Sequence, residues 1–364
     1  MNDVLSYCPD LGERLARLRT LYERRAPDRI FAQMFVPNPA LAEFAARHPA
    51  GYSARPDLRD RAAFWDEFLC AAAAVRDDTV PSAYLTEMDQ GLYGGLVGGE
   101  IRYIADPANG WISSMVPPIL GDLTELERLQ IDEQGAAFRY YMEALAVFRE
   151  RAQGKFGISH FILIDALNFV FELVGATKTY LAATDDPELV RQAVDFAYRL
   201  NVRVQNLFFE HVPLLEGGTC SNMASWVPGG RIVSESVDPF HMTSPAYFEQ
   251  WGREPVERMF STFGGGVIHI HGNGRHLLPA VSSLRGLRAV CLFNDHGYPP
   301  AIEEVGRLQR LTGDLPLIVD VDFRAFADAM ENRRLVGGAL YKVNGVPDAE
   351  TANRWMDRVR EYRL

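Results

Sequence analysis

From residue 158 onward, short apolar runs alternate with amphipathic stretches at a regular interval. The runs HFILID (160–165), VIHIH (267–271), AVCLFND (289–295), LPLIVDVD (315–322) and ALYKV (339–343) each have strand length. Between them, residues 245–263, 299–312, 323–333 and 347–362 carry apolar positions at helical spacing. Near-continuous apolar strands separated by helices predict a parallel sheet covered on both faces. None of these runs reads as an edge strand, so closure into a (β/α)8 TIM barrel is expected. An open doubly wound sheet is the alternative, but it needs a glycine fingerprint after its first strand, and GGG at 264–266 precedes its strand instead.

The earlier part of the chain has a different texture. Leu11, Leu15, Leu18 and Leu21 predict a helix over 10–25, and 57–76 is a second amphipathic stretch. Residues 1–80 are therefore expected to form a helical extension and 81–364 the barrel, all within one domain. Gly94, Gly95, Gly98 and Gly99 punctuate short strands between 80 and 122. Asp122 or Thr124 is placed to cap a long helix reaching about Ala152.

Composition narrows the partners. A chain of 364 residues exceeds the usual single core, yet barrels of this type run to that length. The net charge of -11 comes without any basic stripe, which argues against nucleic acid and anionic membrane surfaces. No apolar stretch is long enough to span a bilayer, and the amino terminus lacks the apolar segment of a secretory signal. Cys8, Cys70, Cys220 and Cys291 are scattered without a CxxC pair. That excludes a closed all-cysteine zinc site and fits reduced thiols in a cytoplasmic protein.

In a parallel barrel, reactive side chains gather at the carboxyl ends of the strands. That rule selects His269 and His271, then Asp295 and His296, then Asp320 and Asp322. Five of the eight histidines fall within 241–296. Residues two apart on a strand share a face, so His269 and His271 can converge on one metal ion that needs further ligands. Asp238 and His241 precede a helix opened by Ser244 and Pro245, and are candidates for substrate contact and proton transfer. Trp226 and Tyr341 are candidates to line a pocket, while mid-strand Cys291 reads as inert core. No G-x-S-x-G elbow supports a serine triad.

The succession SVDPFHMTSPAYFEQW, GGGVIHIHGNG, a late acidic strand and GVPDAETANRWMDRVREY resembles the uroporphyrinogen decarboxylase superfamily. ALNFVFELVGATKTYLAATDDPELV is similar to that family's helix–glycine–turn segment, and the resemblance covers about 80–362. It implies a (β/α)8 barrel and two activities: porphyrinogen decarboxylation, or zinc-dependent methyl transfer between corrinoid proteins and thiols. The decarboxylases' arginine-rich RQAGR-like motif has no counterpart around FAQMFVPNPALAEF. The methyltransferases' His-x-Cys-Gly falls on His269-Ile270-His271-Gly272, with His271 in place of the cysteine, and their later cysteine has no counterpart in 338–343. The resemblance thus implies zinc on His269, His271 and a carboxylate, Asp320 in first place, with Asp295, Asp322 and Glu235 as alternatives. Asp238, His241, His269, His271 and Asp295 are the expected catalytic set; Trp226, Arg231, Arg275, His296 and Tyr341 are expected to bind the substrate.

The reading is a metal-dependent methyltransferase acting with a corrinoid protein or a small methylated compound. A metal-free decarboxylase of a polycarboxylate, gripped by Arg231, Arg275 or Lys342, is the first alternative. A non-catalytic barrel binding a ligand or a corrinoid partner is the second. A homodimer is a candidate assembly, with the oligomeric state left open by the sequence.

Overall fold

The computed structural model describes residues 5–49, 51, 55–85, 90–160 and 162–364. Eight parallel strands form the barrel: β1 (Ile30–Met34), β2 (Ser82–Leu85), β3 (Gly157–His160), β4 (Val233–Ser236), β5 (Gly266–Ile270), β6 (Leu287–Leu292), β7 (Leu317–Asp322) and β8 (Ala339–Asn344). Pairing runs unbroken from β4 through β8 and on to β1, and β2 pairs with β3. Two local seams complete the ring. Asp78 donates its N–H to the Ala32 carbonyl at 2.9 Å, and Leu163 donates to the Ser234 carbonyl at 2.8 Å.

Alternation along each strand divides its side chains between two cores. Phe31, Val267, Ala289, Cys291, Ile318 and Leu340 face inward. Ile30, Ile268, Val290, Val319 and Tyr341 face outward beneath the helices. The inner core continues into the helix Leu11–Tyr22, whose leucine stripe lies against the hairpin Gly218–Ser221/Ser225–Pro228. Arg14 of that helix donates to the carbonyls of Val75 and Thr79, just ahead of β2, so the helix closes the amino-terminal end.

Several expected boundaries move. Strand β1 lies inside the segment expected to be a helical extension, because IFAQM pairs with β8 over its whole length. Strand β3 ends at His160, whereas the apolar run extends to residue 165; Phe161 of that run lies outside the described residues. The helix expected from 122 is two pieces. Asp122 caps only a short 3-10 turn, Leu123–Arg128, and the long helix is Ala136–Ala152.

Candidate active site

Strand β5 places His269 inside the barrel, and the chain beyond Ile270 carries His271 to the open rim. The neighbouring strand β4 leads into Asp238, where Pro239 opens a one-turn helix that brings His241 back toward the same point. Asp238 Oδ1 is the meeting place. It lies 3.0 Å from His269 Nε2, 3.5 Å from His241 Nδ1 and 3.9 Å from His271 Nε2. The rings of His269 and His271 sit 5.1 Å apart, and Phe293 stacks on His269 at 5.3 Å.

His271 is held from behind. Its Nδ1 lies 2.9 Å from Asp295 Oδ1, and the other carboxylate oxygen accepts the Gly272 N–H at 2.5 Å. A carboxylate can only accept, so Nδ1 carries a proton and Nε2 is the ring atom that faces Asp238. Burial alone would raise the Asp295 carboxyl, but the Gly272 N–H and His271 hold it below its ordinary value.

The same competition sets Asp238. Burial pushes its carboxyl up, but contact with His269 and the charges of His269, His241 and His271 hold it far below the carboxylate range. His241 moves the other way. Burial brings it down to about 4, against the pull of Asp238, so it is neutral at pH 7.

Asp238, His269 and His271 each offer a ligand atom within 4.8 Å of the others. Among the described residues no donor meets the buried Asp238 Oδ1 in good hydrogen-bond geometry, and its nearest polar neighbour is His269 Nε2 at 3.0 Å. Two imidazole nitrogens and one carboxylate oxygen with a free coordination position match a catalytic zinc site. On this count the donor set fits a divalent transition metal.

The remaining expected residues separate into three groups. Asp320 does not join this cluster of donors: β7 is two strands from β5, whereas β4 lies beside it, and Asp322 caps the helix Phe323–Glu331. Three expected substrate contacts lie elsewhere. Trp226 is fully buried, its indole N–H donating to the Leu215 carbonyl at 2.8 Å, within the packing that includes Leu11–Tyr22. Tyr341 points outward, packed on Phe326, with its hydroxyl held by Val336. Arg231 is exposed ahead of β4, at the end of the barrel away from the histidines. The third group stays near the rim. Arg275 is buried and committed to Phe293, Pro299 and Glu304, tying two rim loops together, and His296 is exposed on the loop after β6.

Sequence reasoning missed Phe293 and Gly274, although Phe293 follows Cys291 by two and shares its inward face. A Cβ on Gly274 would collide with the His241 ring at Cδ2. Gly274→Ala is therefore expected to displace that ring and to cost about 1–3 kcal/mol of stability, read by denaturant unfolding. If the cluster holds a divalent metal, Asp295→Asn is expected to weaken its affinity roughly 10- to 100-fold by releasing the His271 ring, read by competition with a chelating dye.

No family model matches the chain, and no curated protein sequence matches it. Its structure is similar to that of a methyltransferase from Methanosarcina mazei, with a TM-score of 0.60 at 15% identity, covering 98% of this chain and 99% of the other. A B12-independent methionine synthase from a Shewanella species, solved with selenomethionine, aligns at a TM-score of 0.42 and 11% identity over 76% of this chain and 80% of its own. The first likeness, over nearly the full length of both chains, establishes the TIM-barrel fold.

Proposed function

We propose that the chain is a metal-dependent methyltransferase whose ion, zinc by its donor set, is held by Asp238, His269 and His271. The observation that carries this reading is the convergence of those three ligand atoms within 4.8 Å of one another, with Asp295 holding the His271 ring from behind. When bound, the ion supplies Lewis acidity that lowers the pKa of a thiol at its free position. The residues do the rest. The Asp238 carboxylate would offset one charge of a bound divalent ion, leaving a positive charge that an acceptor thiolate would balance. Neutral His241 and the Phe293 ring exclude water from one side.

In the transfer, the acceptor sulfur forms a bond to the methyl carbon. The bond from methyl to donor breaks, and its electron pair leaves with the donor. The donor is a methylated corrinoid on a partner protein or a small methylated compound, in keeping with the fold's likeness to a methyltransferase. Decarboxylation of a polycarboxylate is less well served, because Arg231 lies at the wrong end, Arg275 is already engaged, and Lys342 is paired in register with Asp320. Methyl transfer from methylcobalamin to a small thiol should be lost on chelation and restored by zinc. Full transfer by metal-free protein would overturn the proposal.

A further inference from the structure

Two separate turns carry the halves of the site. Strands β4 and β5 stay paired as far as Ser236 and His269. Beyond that level the chain after β4 folds into the turn holding Asp238 and His241, and the chain after β5 into the turn Gly272–Leu277 that follows His271. Each turn is tied within itself. His241 donates its N–H to the Asp238 carbonyl at 3.0 Å, while Thr243 donates its N–H to the Phe240 carbonyl at 3.0 Å and its hydroxyl to the same oxygen at 2.9 Å. On the other side, Gly274 donates its N–H to the His271 carbonyl at 3.0 Å. None of these bonds crosses between the turns.

His276 does cross. Its Nε2 lies 2.7 Å from the Thr243 carbonyl and its Nδ1 3.1 Å from the Asn273 carbonyl. Among the described residues the Thr243 contact is the one hydrogen bond between 237–243 and 271–277. A carbonyl oxygen only accepts, and neutral imidazole has a single N–H. A neutral ring would set a bare nitrogen lone pair against one of the two carbonyls, whereas the imidazolium donates to both. The bridging geometry is that of the charged ring. Its charge also reaches the site: burial first, and then the charges of His269, His271 and His276, hold His241 down against the pull of Asp238. The elements packed on this turn bring Asp238, Tyr247 and Glu249 as titratable groups. His241 lies against Gly274, Asp295 accepts from Gly272, and Arg275 stands on the turn itself.

We propose that His276, as the imidazolium, is a positioning residue that clasps the Asp238 turn to the His271 turn, so that a proton on a ring outside the donor set tightens the candidate metal centre. For the metal this rests on the function proposed above; the clasp itself stands on the two carbonyl contacts. Loss of the proton leaves one N–H for two acceptors, and the 3.9 Å between Asp238 Oδ1 and His271 Nε2 is then free to widen. The tightening is therefore present while the ring is charged and is lost as pH rises through its titration.

Two measurements on the full chain and its His276→Gln form separate the clasp from the metal. Proton–nitrogen NMR of the metal-free protein at pH 6 should show both ring N–H signals of His276, identified by their absence from the variant. An exposed imidazolium exchanges these protons with water too fast for detection unless each is hydrogen-bonded, so a missing signal would overturn the clasp. Zinc affinity, by competition with a chelating dye, should be roughly 3- to 10-fold higher in wild type than in His276→Gln at pH 6, as for one lost hydrogen bond, and equal at pH 8.5. Comparing the two proteins at each pH cancels the protonation of His269 and His271, which they share. The same ratio at both pH values would overturn the coupling. Both ring signals in a protein that takes up no zinc would refute the metal centre and leave the clasp standing. The His276 ring is exposed, so the variant should fold, which its unfolding midpoint checks.

Discussion

Replacing His271 with alanine is expected to abolish zinc retention and to lower methyl transfer by well over 100-fold, with little change in the unfolding midpoint. The asymmetry follows from its surroundings. The side chain is part-exposed at the rim and fills no core volume, so truncation leaves no large cavity. Its Nε2 is nevertheless one of three donors, and losing a ligand costs more than the roughly 10- to 100-fold lost with a supporting partner. Asp238→Asn should behave alike in metal retention, because it keeps the volume and removes the one negative donor. His269→Ala should lose the metal and also stability, since that ring is 2% exposed and stacked on Phe293. Metal content and unfolding, measured on the same preparations, check all three. Zinc retained by the His271 variant would contradict the assignment.

Replacing Asp165 with asparagine is expected to stabilise the fold at pH 8 and to leave it nearly unchanged near pH 4. Asp165 lies at the start of the helix Ala166–Val174, fully buried, and neither carboxylate oxygen has a hydrogen-bond partner among the described residues. Burial pushes its pKa from 3.8 to about 7. Glu235, equally buried on β4, is also pushed up, by burial first and then by Asp165. For a carboxyl raised on folding, the sign runs against the usual acid case. Below about 4 both states are protonated and folding carries no penalty. Between about 4 and 7 the unfolded chain ionises while the folded one resists, so the penalty grows, and above about 7 it is constant. The interval corresponds to about 4 kcal/mol at most, which asparagine removes. Denaturant unfolding at both pH values measures this; an equal effect at the two, or a loss at pH 8, would contradict it.

Much of the architecture was legible because β5 to β8 are near-continuous apolar runs, as strands covered by helices on one side and a packed core on the other must be. Strand β4 was not, and the reason is its position. VSES turns polar side chains toward the mouth, so it lacks the apolar signature that marks its neighbours. Strand β1 is five residues set among amphipathic helices, and only its pairing with β8 reveals it.

The site divides in the same way. Two histidines at i and i+2 must share a face, so His269 and His271 could be paired from spacing alone. The carboxylate that joins them depends on which strands are neighbours, and no local pattern encodes that. Asp238 follows the strand next to β5, whereas Asp320 sits two strands away and faces Lys342 instead. Aromatic residues carried the weakest signal. Trp226 and Tyr341 have the size and polarity of pocket residues, but their hydroxyl and N–H groups are satisfied inside the packing.

The most direct test of the metal centre is elemental analysis of the purified protein beside its His269→Ala and His271→Ala forms. About one zinc per wild-type chain and none in either variant is the expected result. Wild-type protein that carries no metal, takes up none from a zinc buffer and still transfers methyl groups would contradict it.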